Sequence, residues 1–262
     1  MNTFVIIIFS FVILLILSIV FYRQFFKRFW DIVLSGFAII ILSPLFLVLI
    51  ILGRIKMKGN PFFVQSRPGK KGKDGKEKIF NLIKFRSMTE EKDANGNYLP
   101  DDVRLTKYGR ILRSTSLDEL PELFNIFRSD MAIVGPRPQL VRDMVFMTDE
   151  QRKRHDVLPG LTGLAQVRGR NTSKWEDRLN NDLEYVKNVS FLLDIKIVLL
   201  TVLKVLKKEG ISEEGESTST DFGDYLLAIG KITKEIYEKK QIEANNILKA
   251  FELSKKEAIN GR

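Results

Sequence analysis

Residues 113–138, R-S-T-S-L-D-E-L-P-E-L-F-N-I-F-R-S-D-M-A-I-V-G-P-R-P, hold the groups best suited to chemistry. Asp118 and Glu119 are adjacent carboxylates at the start of an apolar pattern with helical spacing (Leu117, Leu120, Leu123, Phe124, Phe127), which ends in a Gly-Pro-Arg-Pro turn. Ser116 followed three residues later by Glu119 has capping-box spacing, in which serine and glutamate side chains each satisfy a backbone N–H. That reading explains Glu119 with no chemistry. Asp118 is not needed for the cap. In a first helical turn its carboxylate feels the positive helix end and stays ionised, and Arg113 and Arg137 would add to this if the fold brings them near. An ionised, positioned carboxylate is a nucleophile toward phosphorus. Pro121 removes a helical hydrogen bond, so the backbone beside the pair is expected to be distorted.

The rest of the chain must hold this pair. Its 262 residues allow one medium domain with appendages. A formal net charge of +10 suits an anionic partner: nucleic acid, a phospholipid surface or a phosphorylated substrate. With 45% hydrophobic residues, much of that in two N-terminal runs, the membrane is the natural choice. There is no cysteine, which excludes a disulfide framework and a thiolate zinc site. The lone histidine, His155, is expected at the surface.

Phe4 to Tyr22 is an uncharged run long enough to span a hydrocarbon core. No basic residue precedes it and no small-x-small site follows, so it reads as an uncleaved anchor rather than a signal peptide. Arg23, Lys27 and Arg28 place its C-terminal side in the cytoplasm. A second apolar segment, Phe29 to Gly53, carries Ser43-Pro44 in its middle and basic residues at both ends, with Arg54, Lys56 and Lys58 following. A segment that enters and leaves on one side agrees with those charges, Pro44 making the bend and Ser43 satisfying a freed carbonyl. A proline-kinked spanning helix stays open on charge alone.

From Asn60 the composition turns soluble. Residues 61–65 and 78–85 alternate and carry aromatics, predicting two strands joined as a hairpin by the Gly/Lys-rich segment 68–76. That segment lacks the G-x-x-x-x-G-K-[ST] pattern and reads as a solvated turn. Helices are predicted at 103–112, 139–146 and 175–186, with a loop at Pro159-Gly160 and Gly163. Phe191 to Leu206 is apolar but carries Asp194, Lys196 and Lys204, which fits a helix lying in the membrane interface better than a span. Residues 209–223 read as a linker and 224–262 as helical. The expected divisions are an anchor (1–25), a membrane helix-break-helix (26–58), a cytoplasmic catalytic domain (59–210) and a linker with a C-terminal extension (211–262).

Five segments, L-I-K-F-R-S-M (82–88), R-S-T-S-L-D-E-L-P-E-L-F-N (113–125), V-G-P-R-P (134–138), P-G-L-T-G-L-A-Q-V (159–167) and G-R-N (169–171), resemble in order those of the bacterial sugar transferase family, the small monotopic phosphoglycosyl transferases. Segment 186–197, V-K-N-V-S-F-L-L-D-I-K-I, is similar to the tail of members that load a bacillosamine-type sugar. The resemblance implies a mostly helical α+β domain with a small β-hairpin, a re-entrant membrane helix hairpin and, in this chain, an extra N-terminal transmembrane helix. It also implies transfer of a sugar 1-phosphate from a UDP-sugar to polyprenyl (undecaprenyl) phosphate at the cytoplasmic face of the inner membrane. Asp118 would carry the phosphosugar covalently and Glu119 would hold Mg²⁺. Lys84, Arg113, Arg137 and Arg170 match basic positions in the family's motifs and are assigned to phosphate or uridine-side binding; Pro136 and Pro138 would stiffen the turn presenting Arg137. The family's small members end near the linker, so the tail is an addition without an implied role. A homo-oligomer or pathway partners are compatible with all of this.

Two other readings compete. An inactive membrane scaffold of the same fold would keep the architecture and lose the need for Asp118. A nucleic-acid binder is disfavoured, because the positive charge flanks apolar segments and no nucleic-acid motif is present.

Overall fold

The computed structural model describes residues 21–57, 59–169, 174–207 and 220–260, with scattered positions among the first twenty. The anchor expected at 1–25 and the linker expected at 209–223 therefore fall largely outside the described residues. In chain order, a π-helical turn (Tyr22–Phe26) leads into α1 (Lys27–Lys56), β1 (Phe62–Lys71), β2 (Glu77–Phe85), α2 (Asp101–Arg104), α3 (Lys107–Ser114), α4 (Glu122–Phe127) and β3 (Ala132–Val134). There follow α5 (Val141–Met144), α6 (Asp149–Arg152), β4 (Gly160–Thr162), α7 (Leu164–Arg168), α8 (Trp175–Lys187), α9 (Phe191–Leu206), α10 (Phe222–Ala228) and α11 (Lys234–Asn260). The result is a mostly helical α+β architecture with two small sheets.

Helix α1 runs unbroken through Pro44. A proline there leaves the Ile40 carbonyl without its N–H partner, and Ser43 Oγ donates to that carbonyl at 2.8 Å. The repair was expected. The interruption was not found: Ser43-Pro44 does not divide the helix into two. Both ends of α1 touch the same body. Near its start Arg28 donates to the carbonyls of Ile126 and Met131, and Asp31 accepts from Ile133 N. Farther along, Phe46 and Leu49 enter the main core with Phe80, Phe85, Leu112, Ile126 and Met131, and Tyr108 donates to the Leu49 carbonyl.

The outer face of α1 stays apolar and uncovered, Phe37, Ile40, Ile41, Leu47 and Ile55 being more than half exposed. Helix α9 does the same with Leu192, Leu199 and Leu206. An apolar surface of this extent marks a membrane-facing side, and α1 with its preceding turn is the candidate span among the described residues. Asp194, read as one of the charges along that face, is buried instead. It accepts from the Tyr22 hydroxyl at 2.7 Å and from Lys27 Nζ at 2.6 Å and lies 2.9 Å from the Tyr185 hydroxyl, tying α9 to the entry of α1.

Strands β1 and β2 pair antiparallel from Phe62↔Phe85 to Lys71↔Glu77. The first four residues of the Gly/Lys segment expected as a turn (68–71) are strand, and the turn tightens to residues 72–76. Strands β3 and β4 pair in parallel, Ala132 with Gly160 and Val134 with Thr162, where a plain loop was expected. Three-residue strands are too short to show a period. The C-terminal segment docks rather than trailing away. Phe222 and Leu226 join Met147, Trp175 and Leu179 in one core, and Ala244 sits against Val141, Met144 and Val145. Phe222, expected in the linker, is buried, and its backbone N–H donates to Asp143 Oδ1 at 2.8 Å.

Candidate active site

The pair Asp118–Glu119 is held by a tight turn and not by a helix start. Ser116 adopts a left-handed conformation with φ 56° and makes no side-chain cap. That backbone costs a non-glycine residue about 1–2 kcal/mol, a form of strain that collects at functional sites. Leu117–Glu119 form a 3₁₀ turn, and α4 begins only after Pro121. The capping-box reading of Ser116 and Glu119 is thus overturned, while the distortion expected from Pro121 is present. Glu119 turns instead to two cations: its Oε1 lies 2.7 Å from both Lys84 Nζ, on β2, and Arg137 Nη2.

The electrostatics follow from this crowding. Burial and the neighbouring Glu119 push the Asp118 carboxyl up to about 6, against the pull of Lys84, Arg113 and Arg137. No α-helix starts at Asp118 to hold it ionised, so burial sets the direction of the shift. The group is still ionised at neutral pH. Burial also opposes charge on Glu119, but Arg137 and Lys84 outweigh it and hold that carboxyl well below the usual range. Glu122 lies next to them, buried, with Lys84 Nζ at 3.1 Å; burial pushes it up to about 7.

The loop carrying Arg137 is positioned by backbone contact. Gly135 N donates to the Thr162 carbonyl and Gly160 N to the Pro136 carbonyl. A Cβ on Gly160 would stand 2.1 Å from Gly135 N, and one on Gly135 would stand 2.4 Å from the Leu158 carbonyl oxygen. Only glycine lets V-G-P-R-P and P-G-L-T-G meet this closely. The Pro138 carbonyl accepts from Arg67, and the Arg137 carbonyl accepts from Arg154 Nη2 at 2.6 Å. Arg113 lines the same cleft and donates through Nε to Ser87 Oγ at 3.0 Å. Arg170 lies outside the described residues. Ser43 and Pro44 stand in α1, away from this group.

Sequence reasoning missed Arg67, Glu122 and the buried pair Arg154–Asp182, which carry no local pattern to reveal them. His155 is a correction. It is buried, its ring Nδ1 lies 3.2 Å from Glu77 Oε1, and burial pushes it down to about 4.

Asp118 and Glu119 open onto a cleft of about 1500 Å³. Its cationic lining includes Lys84 of β2, Arg110 and Arg113 of α3, Arg137 and, on α9, Lys204. Its apolar lining includes Leu161 and Val198, Val202 and Val205 of α9, a helix that also exposes Leu192, Leu199 and Leu206. A cleft of this kind can hold an anion and an aliphatic chain beside one carboxylate.

The family described as bacterial sugar transferase matches residues 22–208, and the chain belongs to it. An uncharacterized sugar transferase of Bacillus subtilis strain 168, EpsL, is 46% identical over 196 residues, which is 75% of this chain and 95% of that relative. A UDP-glucose:undecaprenyl-phosphate glucose-1-phosphate transferase of Klebsiella pneumoniae is 41% identical over 189 residues, covering 68% of this chain and 40% of its own length. The UDP-N-acetylgalactosamine-undecaprenyl-phosphate N-acetylgalactosaminephosphotransferase of Aeromonas hydrophila is 35% identical over 191 residues, covering 70% and 44%. The chain thus spans nearly all of the first relative and less than half of the other two.

Proposed function

We propose that the protein transfers a sugar 1-phosphate from a UDP-sugar to undecaprenyl phosphate at the cytoplasmic face of the inner membrane, releasing UMP. The observation that carries this is the placement of Asp118 in one cleft with Lys84, Arg113 and Arg137 and with the apolar residues Val198, Val202 and Val205 of α9. The names of the Klebsiella and Aeromonas relatives support the substrate pair. An Asp118 carboxylate oxygen attacks the β-phosphorus, and the bond to the bridging oxygen breaks, so that UMP leaves. The phosphosugar is then carried as an acyl phosphate on Asp118. A phosphate oxygen of the lipid attacks the same phosphorus, forms the lipid diphosphate sugar and returns the free carboxylate. Arg137 and Lys84 neutralise the phosphate oxygens, which is where most catalysis of phosphoryl transfer lies.

Glu119 is the residue that would hold Mg²⁺. Its Oε1 serves both cations while its Oε2 takes no hydrogen bond from a described residue, leaving one hard oxygen for an ion that otherwise binds phosphate oxygens and water. The ion would supply further charge neutralisation to the diphosphate. Arg113 and Arg170 are assigned to the phosphates or the uridine.

Helix α1 is proposed to be re-entrant. A straight helix of 30 residues would be about 45 Å long, yet the body touched by Arg28 near its start is also touched near its end, where Gly53 lies against Pro61 and Tyr108. Basic residues at both ends agree with one membrane face. For the sugar we propose an N-acetylated amino sugar such as diacetylbacillosamine, on the resemblance of residues 186–197.

The test is product identity. Purified protein in nanodiscs, with Mg²⁺, undecaprenyl phosphate and a panel of UDP-sugars that includes glucose, galactose and N-acetylated donors, is expected to release UMP. Asp118→Asn is expected to abolish that release. UDP as product would mean ordinary glycosyl transfer and would overturn the mechanism. No product from any donor would favour the inactive scaffold.

A further inference from the structure

Behind the carboxylate pair lies a second cavity of about 230 Å³, which shares Arg67, Lys84, Arg137, Gln139 and Leu140 with the lining of the main cleft. Lys84 Nζ marks the partition. It reaches Glu119 on the cleft side at 2.7 Å and Glu122, which lines the cavity, at 3.1 Å. We infer that this cavity receives the sugar ring of the nucleotide donor, and that the C-terminal segment beginning at Thr220 builds its far wall. The inference rests on the transfer reaction proposed above.

Connectivity is the first reason. A diphosphate gripped by Lys84 and Arg137, with its β-phosphorus facing Asp118, carries the sugar one oxygen beyond that phosphorus. The substituent must therefore sit beside the partition that Lys84 and Arg137 form. The nucleoside extends the opposite way along the diphosphate, into the larger cleft.

Size and lining are the second. The cavity far exceeds the ~30 Å³ share of one water and suits a single substituted pyranose better than a nucleoside. Its walls include Arg67, Glu122, Gln139, Asp143, Trp175 and Asp221. A mixture of donors, acceptors and one aromatic suits a polyhydroxylated ring, whereas an isoprenoid chain would leave the charged groups unpaired. Arg67 Nε is buried with no partner among the described residues, so the site holds unused donor capacity. Gln139 likewise makes no side-chain hydrogen bond to a described residue.

The third reason is how firmly the far wall is fixed. Trp175 Nε1 donates to the Thr220 carbonyl at 2.9 Å, Arg142 Nη1 pairs with Asp221 Oδ2 at 3.0 Å, and Phe222 N donates to Asp143 Oδ1. Asp221 lies beyond residue 208, where the family match ends. The extension thus supplies a wall residue from outside the family match, giving the C-terminal segment a part in donor choice.

The experiment uses the full chain in nanodiscs and compares UDP with UDP-glucose, UDP-galactose, UDP-N-acetylglucosamine, UDP-N-acetylgalactosamine and UDP-diacetylbacillosamine. Binding is read by calorimetry and KM by UMP release. Gln139→Ala and Asp221→Asn are expected to weaken the preferred UDP-sugar by about five- to tenfold or more and to change the order of preference among donors, while UDP itself stays within about twofold. Parallel weakening of UDP and UDP-sugars would overturn the assignment, as would an unchanged donor order in both variants. Because Asp221 also anchors the extension, Gln139→Ala is the variant that keeps the test independent of folding. Should the wild type turn over no donor, the transfer reaction fails, yet the binding comparison still decides the cavity.

Discussion

Two arginine–carboxylate centres flank the loop 134–138, and they differ in how far each is finished. Arg154 and Asp182 are sealed, with side chains 1% and 4% exposed, and Asp182 Oδ2 accepts from both Nε and Nη2 of the arginine. Arg137 and Glu119 are open, at 42% and 20%, with Glu119 Oε1 shared by Lys84. Asp182 also lines the cleft, yet its described side-chain bonds both go to Arg154. The sealed pair's spare donor goes to the Arg137 carbonyl, so it positions the backbone from which the open pair works. The open pair stands beside Asp118, a carboxyl that its surroundings leave under-stabilised, and faces a cleft. Burial with full pairing makes a support; partial burial with a surplus of charge makes a site.

That contrast can be broken by substitution. Asp118→Asn is expected to lower UMP release by on the order of 10³-fold or more, with the melting temperature unchanged within about 2 °C. Asp182→Asn leaves Arg154 buried without its counter-charge, a change that costs about 3–5 kcal/mol and should lower the melting temperature by roughly 6 °C or more. Its loss of activity should follow the loss of folded protein. Arg137→Lys removes the planar fork from an accessible position and is expected to cut kcat/KM about 10- to 100-fold, while stability changes little. A large melting shift in Arg137→Lys together with none in Asp182→Asn would reverse the assignment of the two centres.

The smallest effect is the dependence on pH, which reads the two regions through different quantities, activity for one and stability for the other. In the proposed mechanism Asp118 attacks as the carboxylate, and its carboxyl is pushed up to about 6, so kcat/KM should fall as pH drops through about 6. Stability responds at His155. Its folded value, about 4, lies below the unfolded value of about 6.5, so the unfolded chain takes up the proton first and stability declines as pH falls from about 6.5 toward 4. Burial opposes charge on Glu77, but His155 and Arg152 outweigh it and hold that carboxyl well below its usual range, so it loses stability in the same direction at lower pH. His155→Gln should remove that decline, leaving the opposite contributions of Asp118 and Glu122, whose raised carboxyls take up protons first in the folded state, and should leave the activity profile in place.

Much of the fold was legible where local chemistry repeats. The alternation of residues 78–85 predicted β2, the spacing of Trp175, Leu179, Leu183 and Val186 predicted α8, and the apolar run 191–206 predicted α9. The exposed apolar faces of α1 and α9 also follow from composition. Less was legible where one contact decides. Ser116 offered a good capping residue and a well-spaced partner, yet the chain turns left-handed there because Glu119 gains two cations elsewhere. A half-buried carboxylate with two charge-assisted bonds outweighs a cap worth about 1 kcal/mol. His155 and Asp194 read as surface charges for the same reason, since their partners Glu77, Tyr22 and Lys27 lie far away in sequence.

The sequence by itself determined the membrane-facing helices, the β-hairpin, the adjacent carboxylates and the glycines that allow two backbones to touch. These depend on residue type and short spacing, through hydrophobic period, side-chain volume and backbone freedom. Only the tertiary structure decided which cations meet Glu119, which carboxyl is pushed up, and that the segment after residue 219 closes a cavity behind the site. Those outcomes depend on distances between groups remote in the chain, and charge interactions and burial are set by such distances and by nothing local.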